Sequence, residues 1–404
     1  MSNNTSIIQR QKFLSKGTWV LIVLAGFGLT IALIRFVFGL DVTTNLNDQY
    51  PWGLWIAIDV ATGVALAAGG FTTAFLVYVL NVKKFHFVVR PALLTAMLGY
   101  TFVALGLLVD LGRYYNVWHP ILPSMWQGNS ALFEVGMCVM TYLTVLYIEF
   151  IPIVFERYKN RVNLPGIFSR FNSFLERKIK LIDKILSKTM WFFIIMGVVL
   201  SCMHQSSLGT MMAIATTKLH PLWHTPILPL LFLLSAFSVG FPMVIVESMI
   251  SSRSFKLKSE TNQLADLAKY VPFLLWIYFS AKILDLINRD AYMYLLDGSL
   301  ECWAFWFEMI VGVIFPIIIF TRRRLRTRDG YLFAGALMTV FGVAINRYNV
   351  FILGYKPVYA EYHYIPAWTE FAVTIGLISL LILAYRFIVL NLPVIHQLGG
   401  SKHD

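Results

Sequence analysis

Seven carboxylates and one imidazole stand in stretches that are otherwise apolar: Asp59, Asp110, Glu134, Glu149, Glu247, Asp285, Glu308 and His204. An ionised side chain at mid-bilayer costs about 2.5–3.5 kcal/mol on insertion scales, so such groups are kept for pairing or for chemistry. A carboxylic acid in a dry site can hold a proton and deliver it, and an imidazole can donate near neutral pH. Four of the eight share one level. Asp59 is about two helical turns below one end of its apolar stretch, at about 1.5 Å per residue. Asp110 and Glu134 stand near the same end of theirs, and His204 lies in the same half of its own. Pairing across helices would account for any one of them alone. Asp110 and Arg113, three residues apart, are expected to pair. Lys282 and Asp285, also three apart, are expected to neutralise each other, which makes the second set structural. Glu149 and Glu247 lie toward the opposite ends. They are candidates for a proton path inward, or else interfacial acids that reach water.

The elements that carry these groups are membrane spans. A helix crosses the hydrocarbon core with about 20 apolar residues. Ten segments qualify: roughly 17–39, 53–81, 91–112, 129–155, 189–214, 228–250, 270–288, 302–320, 331–353 and 368–391. Lipid cannot satisfy an open strand, so the fold class is an all-α integral membrane protein. The first stretch is too long for a cleaved leader and is expected to stay as an anchor.

Basic residues set the orientation, because Lys- and Arg-rich loops stay on the cytoplasmic side. With the N-terminus inside, 26 of the 33 Lys and Arg fall in inner segments and five in outer loops. Both termini are therefore expected in the cytoplasm, and the acids above cluster near the outer surface. Within 163–188, Phe168, Phe171, Leu175, Ile179, Ile182 and Leu186 recur at helical spacing among six basic residues. That pattern predicts an amphipathic helix lying on the inner membrane surface.

An internal echo suggests duplication. Asp110-Leu111-Gly112-Arg113 precedes Phe133-Glu134, and Asp285-Leu286-Ile287-Asn288-Arg289 precedes Phe307-Glu308. The acids are 24 residues apart in one copy and 23 in the other, and both run the same way across the membrane. Two parallel four-helix bundles follow, with the first and tenth spans as peripheral additions. The expected division is 1–52 for the N-terminus, first span and outer loop; 53–214 for the first bundle, with an inner segment 157–188; 215–353 for the second bundle; and 354–404 for an outer loop, the last span and a cytoplasmic tail.

Composition excludes other classes. Charged residues are 13% of the chain and apolar residues 58%, against about 25% charged in soluble domains. The net charge of +12 sits on the inner loops, against anionic lipid rather than nucleic acid. Three cysteines (Cys138, Cys202, Cys302), none in a C-x-x-C pair, rule out a zinc finger, a cysteine-ligated iron–sulfur cluster and a disulfide framework. A transmembrane b-type haem needs paired axial histidines, and of eight histidines only His204 lies in a span. No metal site is expected.

Longer motifs carry a family resemblance. They include Pro51-Trp52-Gly53-Leu54-Trp55 with Asp59, Arg90-Pro91-Ala92, Asp110-Leu111-Gly112-Arg113-Tyr114 and Phe133-Glu134. Met203-His204-Gln205-Ser206-Ser207-Leu208-Gly209, His220-Pro221-Leu222-Trp223 and Tyr364-Ile365-Pro366-Ala367-Trp368-Thr369-Glu370 complete the set. Together they resemble the NrfD/PsrC-type subunits of bacterial respiratory complexes, with the nearest likeness to the HybB-type subunit of periplasmic nickel–iron hydrogenases. The resemblance implies a haem-free inner-membrane protein that exchanges electrons between menaquinone and a periplasmic ferredoxin-like iron–sulfur subunit, itself bound to the hydrogenase small and large subunits. It also implies a quinone pocket near the periplasmic surface of the first bundle. Asp59 and His204 are then the partners of the quinone oxygens, Asp110 and Glu134 relay protons, and Tyr114, Arg113 and His220 shape the rim. Asn346-Arg347-Tyr348-Asn349 looks more like relatives that serve multihaem cytochrome c complexes, and a molybdoenzyme partner is a further alternative. From other classes, a secondary transporter would favour broken helices at mid-membrane, where Pro242 is the best candidate, and a passive anchor would tolerate loss of all four outer groups.

Overall fold

The computed structural model describes residues 11–50, 53–159, 162, 169–170, 172–258 and 260–395. Among them the chain is all-helical, with ten helices long and apolar enough to cross a membrane. They are α1 Lys16–Phe38, α2 Leu54–Val79, α3 Lys83–Asp110, α4 Ala131–Tyr158, α5 Asn172–Ala213, α6 Leu228–Ser254, α7 Thr261–Asn288, α8 Leu300–Thr321, α9 Asp329–Leu353 and α10 Trp368–Asn391. Helices keep most backbone pairing internal, as hydrocarbon demands. The boundary at residue 52, residues 163–168 of the proposed surface helix, His396, His403 and the tail lie outside the described residues.

Both ends of the described chain meet on one face. Arg386 of α10 donates to the carbonyls of Lys12 (3.0 Å) and Phe13 (3.1 Å), and Gln11 donates to Phe255 beyond α6 (2.6 Å). Lys84 pairs there with Asp266, and Thr261 with Asp329. This is the inner face in the reading from basic loops. On the opposite, outer face the segments after α1 and before α10 are stitched together. Tyr50 donates to Tyr362 O (2.6 Å), Asn45 to Ile365 O (2.9 Å) and Thr369 to Thr43 O (2.5 Å).

Small residues set the closest crossings, which is how helices approach in lipid. A Cβ on Gly28 would stand 2.7 Å from Ala372 O and Gly376 Cα, where α1 meets α10. Gly69 of α2 likewise faces Val244 of α6, and Gly312 of α8 faces Gly342 of α9. α2 and α6 are the most enclosed spans, while α1, α5, α7 and α10 turn most of their surface outward. Single π-turns end α2 (Phe75–Val79) and α9 (Asn349–Leu353) and interrupt α8 at Ile310–Ile314, just past Glu308. Such turns shift which face the following side chains occupy.

The inner amphipathic segment departs from expectation. Residues 172–188 do not form a separate helix on the membrane surface; they are the first turns of the 42-residue α5. At about 1.5 Å per residue that helix is roughly 63 Å long, about twice the hydrocarbon thickness. No proline or glycine interrupts it before Gly197, so the basic run only colours its surface. Asp183 fastens it to Lys159 at the end of α4 (2.5 Å).

Candidate functional site

Two polar clusters stand in the halves of the helices that lead to the outer face of the basic-loop reading. The first joins α1, α2, α3 and α10. Asp110 is the last residue of α3 and is 1% exposed. Its Oδ1 accepts from Arg35 Nη1 of α1 at 3.0 Å, and Arg35 Nε donates to Thr43 Oγ1 at 3.0 Å. Asp59, half-buried in α2, accepts from Thr374 Oγ1 of α10 (2.5 Å), which in turn accepts from Trp55 Nε1 (2.9 Å). Asp110, Arg35 and Glu370 all lie within electrostatic reach of Asp59. Glu370 is fully buried and satisfied: it accepts from Tyr364 OH (2.5 Å) and from the amide of Ala367 (2.7 Å). Burial, together with the negative Glu370 carboxylate that accepts its hydrogen bond, pushes the Tyr364 phenol up.

The second cluster joins α3, α4 and α5. His204 is completely buried; its Nδ1 shares a hydrogen bond with Tyr100 OH (3.1 Å), and Tyr100 packs edge-on against Tyr142. His204 Nε2 has no hydrogen-bond partner among the described residues. One turn further on, Ser207 donates to Glu134 Oε1 (2.5 Å), whose side chain is exposed. Among the described residues no hydrogen bond or ion pair joins Asp59 to His204. The four outer groups thus fall into two sets, and the expectation of a single level fails. Tyr100, the partner of His204, precedes Asp110 by ten residues of the same helix, about 15 Å at about 1.5 Å per residue, so His204 stands deeper than Asp110.

Several expected contacts are replaced by others. Asp110 does not pair with Arg113. The helix ends at Asp110, the next residue is extended, and Arg113 is exposed, so helical i, i+3 geometry never forms. Lys282 does not pair with Asp285 either. It forms a buried ion pair with Glu308 of α8, while Asp285 takes Arg289 (2.7 Å) and Thr225 (2.6 Å). Glu308 also accepts from Asn346 (2.9 Å), Asn349 (2.9 Å) and Trp223 (3.2 Å).

The rim candidates separate. Tyr114 packs edge-on against Phe36, next to Arg35. His220 stands over the other half of the molecule: its amide donates to Gly354 O (2.8 Å), and its ring lies against Tyr294 and Trp223. Burial there pushes the imidazole down, opposed by the nearby carboxylates of Glu301 and Asp297. Of the inner acids, Glu247 is buried and accepts from Tyr385 of α10 (2.8 Å). Glu149 lines a cavity of about 500 Å³ among α2–α5, whose inner mouth carries the pairs Arg90–Glu156 and Lys159–Asp183.

Sequence reasoning missed Arg35, Thr374, Tyr100 and Ser207 as partners of the outer groups. Arg35 had a visible signal, an arginine within an apolar stretch with no acid on its own helix. The other three are hydroxyls that look unremarkable in a row of apolar residues. Chemically, the two clusters offer acids, a guanidinium, an imidazole and a phenol, with Asp110, Arg35, His204 and Tyr100 buried. Such groups can hydrogen-bond carbonyl oxygens and exchange protons with them. Among the described residues no three His, Cys, Asp or Glu side chains gather as a metal site.

Known proteins place the chain in context. The family profile described as "Polysulphide reductase, NrfD" matches residues 42–358. The chain is 33% identical to the "Probable Ni/Fe-hydrogenase 2 b-type cytochrome subunit" of Escherichia coli, over 97% of this chain and 96% of that one. It is 27% identical to the "Menaquinone reductase, integral membrane subunit" of Nitratidesulfovibrio vulgaris, covering 92% and 88%. The "Hdr-like menaquinol oxidoreductase integral membrane subunit" of Archaeoglobus fulgidus is 22% identical, covering 88% of each chain.

Proposed function

The chain belongs to the NrfD family of multi-pass membrane subunits of quinone-reactive redox complexes, and from that premise we propose that it passes electrons between an iron–sulfur subunit at the outer face and menaquinone. The partner is a nickel–iron hydrogenase with small and large subunits, a reading supported by 33% identity over nearly the whole length of the Escherichia coli subunit. Both termini then lie in the cytoplasm and the protein in the inner membrane, as the basic loops suggest.

The observation that carries this reading is the pair of polar clusters in the outer halves of α1–α5 and α10, in which Asp110, Arg35 and His204 are buried. Quinone reduction takes two electrons and two protons, and an oxygen that gains charge in low dielectric needs a hydrogen bond at once. His204 Nε2 and the Asp59 carboxyl are the groups to meet the two oxygens. Asp110 and Glu134 relay protons, and Arg113 and Tyr114 stand at the rim of the first cluster. His220 serves the rim only if the site extends toward Trp223. We read the chain as haem-free: His204 supplies one buried span imidazole, and a b-type haem takes two axial ligands. Inward proton movement would use Glu149 and Glu247.

Purification of the native complex from membranes tests the proposal. An iron–sulfur subunit, hydrogenase subunits and menaquinone are expected to co-purify, without haem absorbance assignable to this chain. A multihaem or molybdenum enzyme in place of hydrogenase would change the partner. Absence of both quinone and any redox partner would end the reading.

A further inference from the structure

The first and tenth spans look peripheral in the sequence, yet they reach into the outer cluster. Arg35 is one turn from the end of α1 and 5% exposed. Two of its nitrogens are fixed, Nη1 by Asp110 and Nε by Thr43. Nη2 has no hydrogen-bond partner among the described residues, and neither has Asp110 Oδ2. A guanidinium carries five donors in a rigid fork, and leaving one edge buried and unmet is costly. Neutralising Asp110 would need only one of those donors.

We propose that Arg35 is a substrate-binding residue, its Nη2 edge donating to one quinone oxygen while Asp110 and Thr43 hold the fork in place. This rests on the quinone reading above and adds to it a residue from outside the four-helix bundle. Local charge favours a neutral acceptor over an anion. Asp59, Asp110 and Glu370 put three carboxyl groups around a single guanidinium, more negative charge than one cation balances, which would repel a phosphate or carboxylate ligand. A quinone presents uncharged carbonyl oxygens that accept from Arg35 without adding to that charge. Arg35 keeps its own protons throughout. The two electrons come from the iron–sulfur partner and the two protons from the acids and water, so that both C=O groups become C–OH. Where α1 and α10 cross at Gly28 and Gly376, Arg35 of the one pairs with Asp110 and Thr374 of the other bonds Asp59.

The test uses the intact purified complex and a quinone-site probe, 2-heptyl-4-hydroxyquinoline N-oxide, titrated by fluorescence quenching. Arg35→Gln is expected to weaken the probe about ten- to a hundredfold, the range for a lost charge-assisted hydrogen bond. Quinone KM should rise with a smaller change in kcat. Arg35→Lys keeps a charge beside Asp110 and so keeps the fold, but loses the second donor edge; about tenfold weaker probe binding is expected. Wild-type probe affinity and KM in Arg35→Lys would overturn the proposal and leave Arg35 as a counter-ion. A wild-type complex that binds no probe and reduces no quinone would instead overturn the quinone reading itself.

Discussion

At the residue scale, buried charge here is managed by crossing helices rather than by neighbours in sequence. Glu308 accepts from Lys282, Asn346, Asn349 and Trp223, so the carboxylate is saturated inside the molecule. Breaking a buried pair from one side leaves an uncompensated charge and costs about 3–5 kcal/mol, whereas removing both partners costs far less. Lys282→Met should therefore lower the thermal midpoint of the purified protein sharply, and Lys282→Met with Glu308→Gln should recover most of the loss. Equal losses in single and double variants would refute the pairing. The sequence marked both residues as ionisable groups in lipid but misassigned their partners. Spacing along one helix is visible in a sequence, and contact between two helices 26 residues apart is not. Arg35 and Asp110 repeat the lesson at a separation of 75 residues.

At the element scale, all ten spans were legible, because runs of about 20 apolar residues leave little choice. The unbroken length of α5 was not, since a basic run reads as a boundary even where nothing stops the helix. Nor were the crossings, which depend on single glycines. Gly28 sits against backbone atoms of α10, while Gly26, two residues earlier, has open space around its Cβ position. Gly28→Ala should push α1 from α10 and destabilise by about 1–3 kcal/mol, the usual cost of overpacking. Gly26→Ala should be close to neutral. Thermal unfolding in detergent compares them, and equal midpoints for the two variants would contradict the crossing.

At the scale of the whole molecule, ten crossings return the chain to its starting face, and the two ends meet there through Arg386. In our proposal, which rests on the skew of basic residues, that face is cytoplasmic. A fluorescent protein fused after Asp404 should fluoresce, and alkaline phosphatase at the same place should be inactive; the reverse would invert the orientation and move the acid clusters to the cytoplasmic side. The central claim is that those clusters serve a lipid-soluble electron carrier. Its most direct test is quinone-linked turnover of the purified complex carrying Asp59→Asn or His204→Ala, with dye-linked activity of the partner enzyme as the control. The account predicts intact assembly and dye activity, with quinone turnover lower by about a hundredfold or more, the scale of lost acid–base catalysis. Wild-type quinone turnover in both variants would contradict it.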